Sequence, residues 1–111
     1  MDTEMTRPDG AVIKLPEQYD MATGKPKPGT KIVASKPDAV NFKTGTILDD
    51  KPAGDIGQHR EQLFRYIRAY KEATGQMPKE IIIEFYTPQT FEPAGRLVIN
   101  PASLLPPGYV P

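Results

Sequence analysis

The order of apolar and polar positions divides the chain into two parts. From residue 31 onward, short apolar runs alternate with turn-forming Gly and Pro. Residues 1–30 are instead rich in Pro, Gly and charge, with one apolar cluster from Ala11 to Leu15. The first part is therefore predicted to be an irregular arm or linker, attached by one short strand to a domain that spans residues 31–111. The alternative is that it is the remainder of a longer parent chain cut at a domain boundary.

The first half of the predicted domain favours β-structure. Residues 32–34 are a short apolar run that predicts a strand. Residues 39–42 and 46–48 are two further runs, and the turn between them contains Gly45, which can supply a positive φ. Two apolar runs separated by a short turn of this kind predict a β-hairpin.

The second half predicts one helix and two strands. Apolar positions recur at helical spacing through residues 58–74, and Gly75 is a natural helix end. Residues 80–86 are β-branched and aromatic, which predicts a central strand buried on both faces. Residues 96–99 predict a last strand, and the Pro-rich tail, 101–111, predicts an extended strap. The expected fold class is α/β (α+β), with a central mixed sheet and one main helix.

Composition excludes several classes of protein. A chain of 111 residues supports one small domain. It has no Cys and a single His, His59, which excludes disulfide frameworks, Cys-ligated zinc and sites that need two imidazoles. No apolar run approaches the roughly 20 residues of a membrane-spanning helix, and the polar first ten residues are not a secretion signal. Basic and acidic residues balance at 14 each, which argues weakly against a passive DNA coat.

Candidate chemistry lies at the open end of the predicted hairpin. Asp38 begins its first strand, and Asp49, Asp50 and Lys51 end its second. Side chains alternate along a strand, so Asp49 and Lys51 are expected on one face and Asp50 on the other. Because a hairpin brings the start of one strand beside the end of its partner, we expect Asp38 close to Asp49.

Two carboxylates and one ammonium suit metal-assisted phosphate chemistry. Mg²⁺ takes oxygen ligands and usually only one or two protein carboxylates, so Asp38 and Asp49 are candidate metal ligands. The backbone carbonyl of Asp50 is a third candidate, and Mn²⁺ is a possible substitute for Mg²⁺. Lys51 could orient or deprotonate the attacking water, or neutralise negative charge in the transition state.

These residues resemble the PD-(D/E)xK, or restriction-endonuclease-like, nuclease superfamily. Pro37-Asp38 is followed after ten residues by Asp49-Asp50-Lys51, on the expected hairpin. Gln62 and Tyr66 on the following helix resemble the Q-x-x-x-Y motif of the RecB-like branch. The resemblance covers residues 31–86 and implies a restriction-endonuclease-like core, a metal-dependent active site, and contact of the last two residues with the substrate backbone. The superfamily's usual acidic helix before the first strand is missing from the pattern.

A narrower resemblance connects the chain with C-terminal nuclease toxins of bacterial polymorphic toxin systems, including type VI secretion cargo. It rests on Lys51-Pro52 after the acidic motif, on the Q-x-x-x-Y helix and on the detached first 30 residues. It implies a DNA-cutting antibacterial effector that is delivered by secretion into the target cytoplasm and neutralised by a cognate immunity protein. A stand-alone phage or repair nuclease and a non-catalytic protein-binding module are the alternatives. The sequence does not settle DNA against RNA or the oligomeric state.

Each candidate residue also has an ordinary structural interpretation. Asp38 could be a turn residue, and Asp49 with Lys51 could form a solvated strand end in which the lysine protects a sheet edge. Gln62 and Tyr66 could be a polar helix position and a boundary aromatic. His59, one turn before Gln62, could reach a substrate phosphate or be an incidental surface residue.

Overall fold

The computed structural model describes residues 3–109 and contains a four-stranded sheet packed against one helix. This confirms the expected fold class. The strands are β1 Lys14–Pro16, β2 Tyr19–Asp20, β3 Lys25–Pro26, β4 Ile32–Ala34, β5 Ala39–Asn41, β6 Thr46–Pro52, β7 Glu80–Tyr86 and β8 Pro93–Ile99; the helix is α1 Arg60–Thr74, and 3₁₀ turns span Ile56–His59 and Pro101–Leu104. No helix within residues 3–109 is long and apolar enough to cross a membrane.

The central sheet has the strand order β5-β6-β7-β8. β6 is antiparallel to β5, with Ala39 opposite Leu48, which confirms the predicted hairpin. Gly45 has φ +73° in the turn between them. β6 is parallel to β7 and β7 is antiparallel to β8. Because parallel strands need a crossover, α1 connects β6 to β7 and covers one face of the sheet.

The helix begins and ends on local signals. Asp55 accepts a hydrogen bond from the backbone N–H of Gly57 at 2.9 Å, so it caps the 3₁₀ turn that precedes α1. The predicted helix, 58–74, is helical in the α form from Arg60. Gly75 adopts a left-handed conformation with φ +78°, and its N–H bonds to the carbonyl of Lys71.

β7 has the predicted bounds, but the prediction that both of its faces are buried is wrong. Ile81 and Ile83 point toward α1 and are fully buried, whereas Ile82 and Glu84 on the opposite face are half-buried. Among the described residues no second layer covers that face, and Val98 of the neighbouring strand is 56% exposed there.

The described part of the N-terminal segment, residues 3–30, packs into the same core. Met5, Ile13 and Leu15 belong to the buried cluster that also contains residues of α1 and β7. β1 pairs with β4, outside the central sheet, and β2 pairs with β3 in a small hairpin. The segment is therefore irregular but is not detached from the domain.

The C-terminal tail was predicted to be an extended strap. It begins instead with the 3₁₀ turn Pro101–Leu104, because the side chain of Asn100 accepts a hydrogen bond from the N–H of Ala102 at 3.1 Å. Leu104 is buried in the core. Residues 1–2 of the predicted arm and 110–111 of the predicted strap lie outside the described part.

Candidate active site

The candidate site lies at the carboxyl end of the parallel pair β6 and β7. The first half of β6 is apolar and its second half is Asp49-Asp50-Lys51. α1 begins close to this end of the sheet, after the 3₁₀ turn. In open α/β sheets, the carboxyl edge of parallel strands is a common place for ligands.

Asp49 and Lys51 form a buried ion pair, as strand alternation predicts. Lys51 Nζ donates to Asp49 Oδ2 at 2.5 Å, and the two residues are 8% and 4% exposed. β6 lies between β5 and β7, so neither residue is at a sheet edge. The interpretation as a solvated strand end with an edge-protecting lysine is therefore wrong.

Burial and charge act in opposite directions on Asp49. Burial raises the pKa of its carboxyl group, and the hydrogen bond and positive charge of Lys51 oppose that rise. The nearby carboxylate of Asp38 raises the pKa further. The net effect is a raised pKa of Asp49, which an additional cation beside the carboxylate would lower.

Asp38 is bound to the end of β6 by two backbone donors. Its own N–H donates to Asp49 Oδ1 at 3.2 Å, and the N–H of Asp50 donates to Asp38 Oδ2 at 2.6 Å. Thr3 holds the preceding turn, because its N–H bonds to the carbonyl of Pro37 at 2.6 Å. The carboxylate of Asp38 thus bonds across the hairpin, and the predicted convergence with Asp49 is confirmed.

Asp50 points to the opposite face of the sheet. It lies directly across from Glu84 in the β6–β7 register. Burial raises the pKa of Asp50, and the carboxylates of Asp38 and Glu84 raise it further. Glu84 is a neighbour that the sequence did not reveal, because only the parallel register with β7 places it there.

The donor set at this end of the sheet fits a hard divalent cation. In residues 3–109 no group of three or more His, Cys, Asp or Glu side chains could hold a metal ion. Asp38 and Asp49 nevertheless bring two carboxylates close together, and the carbonyl of Asp50 belongs to the next residue along β6. Mg²⁺ commonly binds proteins through one or two carboxylates and keeps several waters, so a two-carboxylate set suits it.

His59 lies at the N-terminal boundary of α1, half-buried, and its side chain makes no cap hydrogen bond. Burial lowers its pKa, and the positive charge of Lys51 lowers it further. Only residues 53–58 separate His59 from the end of β6, so it lies at the same end of the sheet as the ion pair. The lowered pKa favours the neutral imidazole, which can donate one N–H.

Gln62 and Tyr66 lie one turn apart on α1. Gln62 is half-buried, whereas Tyr66 is 3% exposed and belongs to the core cluster. The guanidinium carbon of Arg65 lies 6.0 Å from the ring centre of Tyr66. Contact of these two residues with a substrate stays a prediction from the motif.

Comparison of the chain with protein-family models, with curated proteins and with solved structures gives no significant match. Its function is therefore inferred from the geometry of the site.

Proposed function

We propose that this protein is a metal-dependent nuclease that hydrolyses DNA phosphodiester bonds, with Asp38, Asp49 and Lys51 as its catalytic residues. The observation that carries the proposal is the buried Asp49–Lys51 pair with Asp38 beside it. The Asp38 N–H donates to the Asp49 carboxylate, and the Asp38 carboxylate accepts a hydrogen bond from the N–H of Asp50. Stability alone gives little reason for this arrangement, since apolar residues of similar volume are often at least as stabilising as a buried ion pair.

The charge at the site supports a bound cation. Two carboxylates and one ammonium leave a net negative charge, which would repel a phosphodiester. Mg²⁺, or Mn²⁺ in its place, would be held by Asp38, Asp49 and the carbonyl of Asp50. When bound, it would polarise the phosphate and lower the pKa of a water molecule.

Side chains of the protein position the attacking water, the phosphate and the substrate strand. Lys51 has three N–H donors and Asp49 takes one, so the other two can meet the attacking water or the non-bridging oxygens. Its burial strengthens that interaction with charge that develops in the transition state. His59 can donate an N–H to an adjacent phosphate, and Gln62 and Tyr66 are proposed to brace the strand.

The test uses single substitutions that keep side-chain size. Asp38→Asn, Asp49→Asn and Lys51→Met are each expected to lower Mg²⁺-dependent cleavage of single-stranded DNA and of plasmid DNA by at least about 100-fold, since each removes a charge that the reaction uses. Glu72→Gln is the matched control, because Glu72 pairs with Arg7 on the exposed surface. Circular dichroism verifies the fold of each variant, and calorimetry measures Mg²⁺ and Mn²⁺ binding.

Undiminished cleavage in all three variants would overturn the assignment. A protein that neither binds Mg²⁺ or Mn²⁺ nor cuts DNA or RNA would instead be a binding module. Parallel RNA and DNA substrates decide which nucleic acid is cut.

We further propose that the nuclease acts as an antibacterial effector, delivered by secretion and restrained by a cognate immunity protein. The support is the resemblance of its motif and helix to toxin nucleases. Expression of the wild-type chain in bacterial cytoplasm should then arrest growth, and Asp49→Asn should abolish the arrest. Growth at the normal rate with an active enzyme present would favour a phage or repair nuclease.

A further inference from the structure

Two aromatic side chains flank the loop between β7 and β8. Phe91 and Tyr86 stack with ring centres 5.6 Å apart and planes at 28°. Phe91 is 74% exposed, the highest value among the exposed large apolar side chains of residues 3–109. Because this ring is mostly exposed, it adds little to the hydrophobic core. The stability of the fold therefore does not explain its position.

The backbone of Phe91 is also unusual. Its φ is +58°, and within the described chain it is the only non-glycine residue with positive φ. Bulky side chains rarely adopt this conformation, and such outliers often lie at functional positions. The turn that holds it is closed by hydrogen bonds from the Phe91 N–H to Thr87 O at 2.7 Å and from Thr87 N–H to Glu92 O at 2.9 Å.

The aromatic pair forms one wall of an open cleft of about 420 Å³, here termed the base cleft, lined by Asp50, Glu84, Phe85, Tyr86, Phe91 and Pro93. Asp50 and Glu84 project from the same sheet face as Tyr86, so their carboxylates line the cleft beside the aromatic pair. Arg96 binds only one oxygen of Glu84, through its Nε at 2.7 Å and a second guanidinium nitrogen at 2.5 Å.

The side chains that line the cleft indicate which kind of ligand it binds. Carboxylates repel phosphate, but they accept hydrogen bonds from the exocyclic amino groups of nucleobases. An exposed aromatic pair offers a face on which a planar base can stack. A flat, neutral ring that carries an amino group therefore complements both the aromatic pair and the carboxylates.

The base cleft lies on the face of the sheet opposite to the Asp49–Lys51 pair, because Asp50, Glu84 and Tyr86 alternate with the residues that face α1. It meets the candidate catalytic residues at the end of the hairpin, through Asp50 and Asp38. Asp50 lines the cleft, while its N–H binds Asp38 Oδ2. Tyr86 lies opposite Pro52, two positions beyond the Asp50–Glu84 pair. That offset is about 7 Å along the strands, or about two stacked nucleotides.

We propose that the base cleft binds an unpaired nucleobase of the substrate, stacked on Phe91 and Tyr86, with its exocyclic amino group donating to Glu84 or Asp50. The inference rests on the proposed nuclease function and defines its substrate as single-stranded or frayed nucleic acid. Paired bases inside a duplex have no free stacking face, so duplex interiors bind poorly.

The chain offers a matched control pair. Phe42 stacks on Tyr70 with ring centres 5.7 Å apart and planes at 12°, and it is 50% exposed. It follows β5, at the other end of β6 from the base cleft. Phe42 thus provides an exposed ring stacked on a tyrosine at a site away from the base cleft.

The binding test uses tryptophan fluorescence, since the natural chain contains no Trp. Phe91→Trp and Phe42→Trp are each titrated, without divalent metal, with dC12, dT12, the RNA counterpart of dC12 and a blunt duplex. Single strands should quench Trp emission in the Phe91 variant but not in the Phe42 variant, and the duplex should quench it weakly. Cytosine carries an amino group that thymine lacks, so dC12 should bind more tightly than dT12.

The cleavage test measures KM with Mg²⁺ on a single-stranded substrate. Phe91→Ala should raise KM roughly 5- to 100-fold, the range for the loss of one stacked base, while Phe42→Ala should not change it.

Failure of Phe91→Ala to raise KM, together with no quenching in Phe91→Trp, overturns the base cleft even if the wild type cuts DNA. Equal affinity for dC12 and dT12 overturns the carboxylate contact. Quenching confined to Phe91→Trp in a protein that never cuts nucleic acid supports the base cleft and overturns the nuclease.

Discussion

Lys51 and Asp49 depend on each other for their burial. The lysine is 8% exposed, and its ammonium group bonds to Asp49 at 2.5 Å. Removal of one partner leaves the other charge buried without compensation, which is more costly than removal of both. The lysine therefore holds the Asp49 carboxylate in place in the folded protein.

Lys51→Met is expected to lower the free energy of unfolding by about 3 kcal/mol at pH 7. The loss should shrink near pH 4, because burial raises the pKa of Asp49 and the lone carboxyl can then take up a proton in the folded state. Urea unfolding of the metal-free protein at both pH values measures this. The double variant Asp49→Asn/Lys51→Met should recover part of the loss. If the single and double variants lose the same free energy of unfolding, removal of Asp49 does not relieve the loss of Lys51, and the two residues are not coupled.

Short-range signals determined which elements could be predicted from sequence. The bounds of β7 and the end of α1 follow from β-branched residues and from Gly75, and both predictions are confirmed. Asp49 and Lys51 could be placed together because strand alternation is local. Glu84 could not, since its place across from Asp50 depends on the register between strands whose partner residues are 34 positions apart. The Tyr86–Phe91 stack could not either, because it depends on the left-handed backbone of Phe91 in the β7–β8 loop.

The N-terminal hairpin was missed for the same reason. Tyr19 of β2 is fully buried, packs edge-on against Phe64 of α1 with ring centres 5.0 Å apart, and accepts a hydrogen bond from Arg68 at 3.1 Å. Its backbone N–H donates to Glu61 at 3.0 Å. These contacts attach a Pro- and Gly-rich segment to the helix, although its composition is typical of a linker.

Tyr19 predicts a loss of stability at alkaline pH. Burial raises its pKa above the ordinary value of 10.0, although Arg68 opposes the rise. Above pH 10 the unfolded chain loses this proton first, so the tyrosine's share of the unfolding free energy falls by at most about 1.4 kcal/mol per pH unit. Tyr19→Phe should remove that share in urea unfolding between pH 8 and 11. Tyr86→Phe, at a half-exposed position, is the control, and an unchanged pH dependence in Tyr19→Phe would contradict the prediction.

In the whole molecule, one helix covers one face of the sheet, and the N-terminal segment closes the remaining sides of the core. Met5, Ile13, Leu15 and Tyr19 are each at most 5% exposed. Each large buried apolar side chain contributes roughly 1.5–3 kcal/mol. Four of them account for about 6–12 kcal/mol, which is comparable with the entire stability of a typical domain, about 5–15 kcal/mol.

A chain that begins at Lys31 is therefore expected not to fold, although residue 31 is the domain boundary that composition predicts. Its urea titration should lack a cooperative transition, and its far-ultraviolet circular dichroism should lose the α1 signal. The reason is that the apolar side chains of Leu63 and Ile67 would be exposed to water. Addition of a synthetic 1–30 peptide should restore part of the signal, since the missing contacts are non-covalent. Removal of residues 1–2 alone is the control for the new terminus. A cooperative transition at the full-length midpoint would show that the segment is an accessory arm, and the site at the end of β6 would then need only residues 31–111.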